Sequence, residues 1–404
     1  MGRRLLVVNQ YYAPDVAASG QIAADLCEGL VKRGFEVHVV AGQPSYGGDV
    51  KEQPAEEVLN GVHVYRVAMR TRGRASMRSR IVGYWRFLRG GASAARKIAR
   101  SIRPDVVVTL SNPPLVGRIG ARVARDLTIP FVYLLHDIHP DALVASGWLR
   151  VPKFLIELWD RAHRRVLGRA TKVVVLGEGM KETLVTKKGV DPSRVEVIPL
   201  WGRPEIGSGD GAHDARTRLA ISENELVILH AGNMGIMHPI DPILDAAKSL
   251  RGREVRFVFL GDGPRRVHVA ERVQAEGISN VMLLGYLSQN EFLDWVRASD
   301  ACLVGLEPGM EGLAVPSRAF TFLSAGKPLI ATMSPTADVA RIAVEGRCGW
   351  VAGDAEAVRK VIEHAIESRT ELQEMSANAA RVYRTSFARE SVLDQYAGLF
   401  NSLR

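Results

Sequence analysis

A short stretch in the second half of the chain combines an acid, the start of a predicted helix and a base. Glu311 lies in a glycine-bearing loop, Pro316 and Ser317 precede a predicted helix, and Arg318 follows directly. Free backbone N–H groups at a helix start attract anions, and a guanidinium adds positive charge there. We predict a carboxylate that binds sugar hydroxyls beside a pocket for a diphosphate. The alternative is a capping serine followed by a solvated arginine.

Two glycine-rich turns precede this stretch, and each follows an apolar run. The first contains Gly232, Asn233 and Gly235, and the second contains Gly261 and Gly263. Glycine at the end of a strand exposes backbone N–H groups that can bind a phosphate or a ribose. Either turn alone is also compatible with a purely structural role. Two of them on successive strands of one domain favour a nucleotide-type ligand.

The first half of the chain offers a second group of polar candidates. His136 and Asp137 end an apolar run, and His139 follows shortly after. Polar side chains at such a position suit acceptor binding or proton transfer, although a structural role for one histidine fits equally well. We expect no metal site, because no third ligand stands at a suitable spacing and the chain contains no Asp-x-Asp pair.

Short runs rich in valine, isoleucine and leucine recur along the chain and must position these residues. Continuous apolar runs are typical of strands buried in parallel sheets, and their alternation with helical segments indicates βαβ units. We predict an α/β protein with two doubly wound, Rossmann-like domains that face each other across a ligand-binding cleft. The predicted domains are residues 1–200 and 226–385, with a linker at 201–225 and a closing helix at 386–404.

The composition fits this architecture. The chain has 404 residues, of which 47% are hydrophobic and 24% charged, so two or three folded domains are expected. No apolar run approaches the roughly 20 residues that span a bilayer. Three widely spaced cysteines indicate neither a disulfide framework nor a zinc site and fit a reducing, cytoplasmic setting.

The formal net charge of +9 is concentrated in one segment. Arg66–Arg103 contains twelve basic residues and no acid, whereas the rest of the chain is mildly acidic. Trp85 and other apolar residues lie among these arginines, which favours a helix bound to an anionic membrane surface. A helix that shows its arginines to solvent is the alternative. Nucleic acid is not expected, because no known binding motif is present.

Taken together, these motifs resemble those of the family-4 retaining glycosyltransferases, which have the two-domain GT-B fold. The resemblance covers nearly the whole chain and points to the branch that builds bacterial surface polysaccharides such as colanic acid and O-antigen. It rests on the segments Tyr12-x-Pro14 with Gly20, Val197–Pro199, Ala231–Gly235, Leu260–Pro264, Glu311–Arg318 and Ala325–Pro328.

The resemblance implies roles for the candidate residues. It implies that the C-terminal domain binds a nucleotide-diphosphate sugar and that Glu311 contacts the sugar. It places Asp137, beside His136, near the point where donor and acceptor meet, and Tyr12 and Gly20 on the acceptor side. Members of the family retain the anomeric configuration and need neither a metal nor another cofactor.

Two departures from the family pattern concern the donor site. The second of the family's donor-binding glutamates, which usually contacts the ribose, is expected at the position of Thr321. The cation that usually follows the first glycine-rich turn and clamps the diphosphate is replaced by other residues here. Arg318 is the first candidate to take over its role, and Lys327 and the pair Arg265 and Arg266 are the others.

We therefore predict a metal-independent, retaining glycosyltransferase of bacterial surface polysaccharide biosynthesis. It moves a hexosyl or N-acetylhexosaminyl group from a nucleotide-diphosphate sugar to a lipid-linked or glycan acceptor, at the inner face of the cytoplasmic membrane. Two alternatives stay open: a sugar-nucleotide epimerase of the same fold that transfers nothing, and a non-catalytic partner subunit. The sequence indicates no particular oligomeric state.

Overall fold

A computed structural model describes residues 2–15, 17–44, 52–68, 77–147, 151–202, 211–218, 220–235, 237–285 and 287–403, and for 77–80 and 211–214 it describes the backbone. The chain divides into two compact units. Unit 1 comprises Met1–Ala142, Arg150–Ile198 and Leu393–Arg404, and unit 2 comprises Leu143–Leu149 and Pro199–Val392.

Unit 1 is built on an eight-stranded sheet. Its strands are β1 (Arg4–Val8), β2 (Glu36–Gly42), β3 (Glu56–Leu59), β4 (Val62–Val67), β5 (Val106–Thr109), β6 (Phe131–Leu135), β7 (Lys172–Val175) and β8 (Val195–Val197). The helices in this part of the chain are α1 (Ala18–Val31), α2 (Met77–Ile102), α3 (Gly117–Leu127), α4 (Asp141–Ala145), α5 (Lys153–Arg169) and α6 (Glu178–Lys188), with a 3₁₀ turn at Pro192–Arg194. The strand order is β3-β4-β2-β1-β5-β6-β7-β8.

The strands of this sheet pair in parallel, except for β3 with β4. The central strands form from continuous apolar runs, because every residue of β5 and β6 is buried. Strand β3 was not predicted, since its side chains alternate in exposure at the edge of the sheet. It joins β4 through Asn60 and Gly61, whose positive φ values of 50° and 83° suit a tight hairpin turn.

Unit 2 is built on a six-stranded parallel sheet with the order β11-β10-β9-β12-β13-β14. The strands are β9 (Leu226–Ala231), β10 (Val255–Leu260), β11 (Val281–Leu284), β12 (Ala301–Gly305), β13 (Leu329–Thr332) and β14 (Gly349–Val351). The helices that follow α6 are α7 (Gly211–Arg218), α8 (Asp241–Ser249), α9 (Arg266–Ala275), α10 (Gln289–Ala298), α11 (Arg318–Ser324), α12 (Asp338–Glu345), α13 (Ala355–Glu367), α14 (Arg369–Val382) and α15 (Arg389–Ser402), with a π-helical turn at Tyr383–Phe387. The predicted class of two Rossmann-like parallel α/β domains is confirmed.

The predicted linker 201–225 differs from the structure, because part of it is helix α7. Arg216 on this helix donates from Nε to the carbonyl of Ala298 at 3.0 Å and pairs with Asp300 at 2.7 Å. Both partners belong to unit 2, as α7 does. The contacts of Arg216 with the end of α10 therefore make this polar segment part of folded unit 2.

The predicted closing helix, 386–404, corresponds to α15, which begins at Arg389. From Leu393 onward this helix belongs to unit 1. Leu393 lies so close to Gly29 of α1 that a Cβ atom on the glycine would be 2.5 Å from the leucine Cδ1. Phe400 packs edge-on against Phe35, with their ring centroids 6.3 Å apart. The end of the chain thus completes the core of the first unit.

Candidate functional site

The two glycine-rich turns of unit 2 lie side by side at the carboxyl ends of β9 and β10. A Cβ atom on Gly261 would overlap the carbonyl oxygen of Gly232, and one on Gly263 would lie 2.6 Å from the carbonyl oxygen of Met234. The φ values of Gly232, Gly261 and Gly263 are 138°, 116° and 151°. The N–H of Met234 donates to the carbonyl of Asp262 at 2.8 Å. Because these positions require glycine, bare backbone forms this edge of the sheet.

Asn233 is an exposed side chain between the two turns. A Cβ atom on Gly235 would lie 3.3 Å from its Nδ2, and one on Gly263 would overlap its Oδ1. The Asn233 amide therefore lies against both turns. The structure thus brings together the residues that the sequence predicted for the nucleotide side of a donor site.

Glu311 lies in a loop beyond the carboxyl end of β12. Gly309 and Gly312 give this loop its sharp bends, with φ values of 85° and 68°, and Met310 and Leu313 are buried beneath it. The N–H of Gly309 donates to Oε2 of Glu311 at 2.7 Å. The loop therefore holds a partly exposed carboxylate in one orientation.

Arg318 begins α11 and lies beside the turn after β9. A Cβ atom on Gly232 would be 3.5 Å from its Nε, and its guanidinium carbon lies 4.9 Å from the centroid of the Phe292 ring. Stacking on an aromatic ring holds a guanidinium while leaving its N–H groups at the edge of the plane. Arg318 is exposed, so this positive charge is accessible next to the bare backbone of the first turn.

Pro316 and Ser317 lead into α11, and both are partly exposed. Ser317 already has helical φ and ψ values of −62° and −26°, and its side chain makes no capping hydrogen bond with the described part of the helix. Ser317 therefore does not act as the capping serine that was the alternative interpretation of the sequence. Its hydroxyl group lies one residue before Arg318.

Two histidines near the first turn are neutral. His230, at the end of β9, is 5% exposed, and burial together with nearby His238 and Arg318 lowers its pKa to about 3. Burial also lowers the pKa of His238, whose Nδ1 lies 2.9 Å from the carbonyl oxygen of Gly305. Neither imidazole adds positive charge at neutral pH, so neither takes the role of the replaced cation.

Two of the other basic candidates, Lys327 and Arg265, have partners elsewhere. Nζ of Lys327 donates to the carbonyls of Arg297 and Ser299, both at 2.7 Å, and so caps the end of α10. Arg265 donates to the carbonyl of His238 at 3.0 Å and lies 3.3 Å from Glu307. Among the four residues proposed for the diphosphate clamp, Arg318 best combines exposure with a place beside a glycine turn.

In unit 1, His136 and Asp137 follow β6 and are partly exposed. The N–H of His136 donates to Oγ of Ser111 at 3.2 Å, which ties this position to the end of β5. Burial lowers the pKa of His136, whereas the charge of Asp137 opposes that shift. At neutral pH the pair is a neutral imidazole beside a carboxyl group, which can hold and polarise a hydroxyl.

The segment after Asp137 is held by a buried lysine. Nζ of Lys188 lies 2.5 Å from Oδ2 of Asp141 and 2.5 Å from Oδ1 of Asp160, and its side chain is 3% exposed. A buried cation requires such partners, so the loop is tied to α5 and α6. Within the described residues, no three histidine, cysteine, aspartate or glutamate side chains are grouped as metal ligands would be.

Comparison with known proteins follows the same division of the chain. Residues 18–201 match the model of the glycosyl transferase 4-like domain, and residues 225–368 match that of glycosyl transferases group 1. The chain is a family-4 glycosyltransferase. This glycosyltransferase is 28% identical over 308 residues, 76% of each chain, to WbjE of Pseudomonas aeruginosa, described as a probable glycosyltransferase. It is 22% identical over 342 residues, 81% of this chain and 83% of the other, to WcaI of Escherichia coli K12, described as a putative colanic acid biosynthesis glycosyl transferase.

A solved structure confirms the GT-B fold of the glycosyltransferase. HepE of Anabaena, determined in complex with UDP-glucose, covers 99% of this chain with a TM-score of 0.74 and 15% identity, and all of the HepE chain is matched. At this identity the likeness concerns the fold alone.

Two residues predicted to lie on the acceptor side of the glycosyltransferase, Tyr12 and Gly20, are buried and have a packing role. Tyr12 is 1% exposed, and burial raises the pKa of its hydroxyl strongly. Gly20 lies inside α1, where a Cβ atom would be 3.1 Å from Cβ of Tyr11 and 3.3 Å from the backbone nitrogen of Tyr12. Gly20 thus permits close packing of the helix on this loop. The prediction that they face an acceptor does not fit their burial.

Arg66, the first residue of the predicted basic segment, is also buried. Its side chain is fully enclosed and lies 2.6 Å from Oε1 of Glu57, and it donates to the carbonyl of Ala13 at 2.6 Å. Including Arg66 in a membrane surface was wrong, because this charge is used inside unit 1. Residues 69–76 and the side chains of 77–80 lie outside the described part of the chain.

Thr321 of the glycosyltransferase is 7% exposed on the packed side of α11. Its carbonyl accepts a hydrogen bond from Oγ of Ser324 at 2.8 Å. At this position, where the family pattern places a ribose-binding glutamate, the threonine side chain is part of the helix packing, and its burial gives no support to a donor-binding role.

A row of polar residues at the carboxyl edge of the first sheet was missed. Asn9 follows β1, Thr109 ends β5, and Ser111 lies two residues further on. All three are buried, and Oδ1 of Asn9 and Oγ1 of Thr109 have no hydrogen-bond partner in the described part of the chain. The signal was present in the sequence, because each polar residue directly ends or follows an apolar run, as His136 does.

His163 on α5 predicts a loss of stability in acid. It is 2% exposed, and burial, with smaller effects of Lys188 and His139, lowers its pKa to about 4. The unfolded chain binds a proton near pH 6.5, so stability present above that pH is lost as the pH falls. Between pH 7 and pH 5 the protonation of His163 is expected to lower the free energy of unfolding by about 2 kcal/mol, and the variant with phenylalanine at this position should not show this decrease. Urea unfolding at both pH values measures this.

Tyr133→Phe provides the control. The Tyr133 ring contacts His163, and burial raises the pKa of its hydroxyl, so this change removes no group that titrates between pH 7 and pH 5 and should leave the pH dependence of unfolding unchanged. An equal pH dependence in wild type and the His163 variant would contradict the prediction.

Proposed function

We propose that this glycosyltransferase moves a hexosyl or N-acetylhexosaminyl group from a nucleotide-diphosphate sugar to a lipid-linked or glycan acceptor, with retention of configuration and without a metal. The observation that carries this proposal is the arrangement in unit 2. Bare backbone of two glycine turns, an oriented carboxylate and an exposed guanidinium occur at the carboxyl edge of one parallel sheet, where such sheets bind ligands. The complex of HepE with UDP-glucose supports a donor of this class.

The donor is proposed to bind with its diphosphate beside Gly232 and Arg318. Backbone N–H groups and a guanidinium are suited to phosphate oxygens. Their positive potential stabilises the charge that develops on the leaving diphosphate, and this is the part of the reaction that an enzyme without a metal must supply. Glu311 is proposed to accept hydrogen bonds from hydroxyls of the donor sugar and so to orient its anomeric carbon.

His136 and Asp137 are proposed to serve the acceptor side. The carboxyl group of Asp137 can accept a hydrogen bond from a hydroxyl, and the neutral His136 can donate one or accept one. The lysine-anchored segment keeps both residues in place at the end of β6. The assignment of WcaI to colanic acid biosynthesis supports a surface polysaccharide as the product.

The enzyme is further proposed to work at the inner face of the cytoplasmic membrane, bound through α2. On this helix Trp85 is 63% exposed, and Arg86 and Arg89 are exposed beside it. No described helix combines the length and apolarity needed to cross a bilayer. An exposed aromatic residue next to arginines suits binding to an anionic lipid surface.

A non-catalytic partner subunit is the second candidate. The observation that favours it is the packed, uncharged Thr321 where the family usually has a ribose ligand. If the chain were such a subunit and bound no donor, substitutions of Glu311 and Arg318 would have no effect on sugar transfer.

The experiment combines donor binding with product analysis. The purified chain is titrated calorimetrically with UDP-, GDP- and ADP-linked sugars, and the donor that binds is incubated with lipid-linked acceptors in the presence of EDTA. We expect one donor class to bind and its sugar to appear on an acceptor with the donor's anomeric configuration, as measured by NMR.

Other outcomes contradict parts of the proposal. An inverted product contradicts retention, and activity abolished by EDTA contradicts metal independence. Epimerisation of the donor sugar without an acceptor supports the epimerase, and the absence of binding by every donor supports the partner subunit.

A further inference from the structure

Helices α2, α3 and α5 of unit 1 lie next to one another on one face of its sheet. Right-handed crossovers between parallel strands place α2, α3 and α5 on the same side. Gly117 of α3 approaches α5 so closely that a Cβ atom would lie 2.6 Å from Cγ1 of Val166, and Gly91 of α2 approaches Ile119 of α3. These glycines set α3 deep between its neighbours, so the three helices form one layer.

Helix α5 is longer than the strands it covers. Its 17 residues span about 25 Å, whereas the five residues of β6 span about 17 Å. The helix ends at Arg169, shortly before β7 begins at Lys172, so the excess length lies at its N-terminal end. The excess of about 8 Å corresponds to about one and a half turns, so the beginning of α5 extends past the carboxyl edge of the sheet, the edge at which His136 and Asp137 lie.

This overhang carries exposed apolar side chains. Phe154, Leu155 and Leu158 are 65%, 43% and 57% exposed. Phe154 and Leu158 are four residues apart and share one side of the helix. Three such side chains at a helix tip exceed the single scattered apolar residues that a soluble surface carries without a function.

The same side of α5 continues as a row of arginines. Arg161, Arg165 and Arg169 follow Leu158 at helical spacing, and all are exposed. The outward side of α3 carries the exposed Arg118, Arg122 and Arg125. The exposed acids of these two helices are Glu157, 3.5 Å from Arg161, and Asp126, 2.7 Å from Arg125. The layer is therefore strongly positive with an apolar rim at one end.

We infer that α3 and α5, together with α2, form one docking surface for an anionic lipid bilayer, and that Phe154 and Leu158 insert into it. This inference rests on the proposed function, which places the acceptor in a membrane. Apolar side chains of surface-bound helices enter the boundary between headgroups and acyl chains, and arginines behind them contact anionic headgroups. The rim that inserts lies at the edge where His136 and Asp137 stand, so docking brings the acceptor side toward the lipid.

Charge and apolarity distinguish the bilayer from other occupants. A second copy of the chain in a symmetric contact would place the same arginine rows opposite each other, which is unfavourable. A nucleic acid would satisfy the arginines but leave the apolar rim in water. An anionic bilayer satisfies both.

The first test measures insertion directly. Cys27, Cys302 and Cys348 are buried, so a new surface cysteine can be labelled selectively. The full chain with Leu158→Cys is labelled with the environment-sensitive dye NBD, and Val267→Cys in unit 2, where the native valine is 66% exposed, is the matched control. With vesicles of phosphatidylcholine and phosphatidylglycerol, we expect a blue shift and stronger emission from the label at 158 and no change at 267.

The second test measures binding to the same vesicles by sedimentation. Arg161→Gln with Arg165→Gln is expected to weaken binding about twenty-fivefold, since each arginine near an anionic surface contributes about fivefold. Phe154→Ser with Leu158→Ser should weaken it at least as much. The control pair Lys248→Gln with Lys360→Gln, on helices of unit 2, should bind as wild type does.

The outcomes separate this inference from the proposed function. If Arg86→Gln with Arg89→Gln weakens binding while the α5 variants and the label at 158 show no effect, α2 docks alone and the inference is overturned. It is also overturned if the label at 158 responds to protein concentration without vesicles, or if RNA competes for the arginines. Donor binding, measured by calorimetry on the same variants, reports on the transferase site independently.

Discussion

Replacing Glu311 by glutamine is expected to lower kcat/KM for sugar transfer about a hundredfold while leaving the fold intact. The carboxylate is oriented by the N–H of Gly309 at 2.7 Å, and a glutamine oxygen can accept the same hydrogen bond. The variant therefore keeps the loop but loses the negative charge toward the sugar hydroxyls. A hydrogen bond to a charged group contributes up to about 3 kcal/mol, which corresponds to about a hundredfold in rate. Initial rates at subsaturating donor measure the effect.

A matched change elsewhere in unit 2 controls for the general loss of a carboxylate. Glu345 is exposed at the end of α12, and Glu345→Gln should transfer sugar at the wild-type rate. Glu311→Ala should be at least as impaired as Glu311→Gln. Full activity of either Glu311 variant would remove this residue from the donor site.

Much of the fold was predictable because a strand that is buried on both faces of its sheet appears in the sequence as a continuous apolar run. A parallel strand covered by helices on both sides must be apolar throughout, and β5 and β6 show this. Strand β3 lies at an edge and contains two glutamates, so it has no continuous apolar run and does not meet the same criterion. Helix α7 escaped prediction for a similar reason: it is attached to α10 by the polar contacts of Arg216 rather than by an apolar stripe.

The donor-side residues were predictable where backbone geometry requires a residue type. Gly261 and Gly263 can be read from the sequence because any side chain would collide with the neighbouring turn. Tyr12 and Arg66 illustrate the opposite case. A tyrosine or an arginine is compatible with either a binding surface or a core, and only the packing around it decides which. In this protein the core holds both.

The basic residues near the donor site show how packing decides between candidates of equal charge. Lys327 and Arg318 were both possible clamps for a diphosphate. Lys327 donates to two carbonyls at the end of α10, and burial lowers its pKa. Moving it to a ligand would leave those carbonyls without a partner. Arg318 stacks on the ring of Phe292, and its side chain is exposed beside the first glycine turn, where a ligand can reach it.

Replacing Arg318 by alanine is therefore expected to weaken binding of the nucleoside diphosphate about a hundredfold and to lower the rate of transfer as well. A guanidinium can form two charge-assisted hydrogen bonds with phosphate oxygens, and alanine provides none. The side chain is exposed, so losing its stacking on Phe292 should lower the unfolding temperature by only a few degrees. Calorimetric titration with the diphosphate and initial rates of transfer measure the two effects.

Arg318→Lys tests the geometry as well as the charge. A lysine keeps the positive charge but lacks the planar fork and the stacking on Phe292, so it should restore only part of the affinity. Arg266, at the start of α9 next to the second glycine turn, gives the matched control. If Arg266→Ala weakened diphosphate binding more than Arg318→Ala, the clamp would belong to the second turn. The developing charge of the leaving group would then be stabilised at the end of β10 instead of at the start of α11.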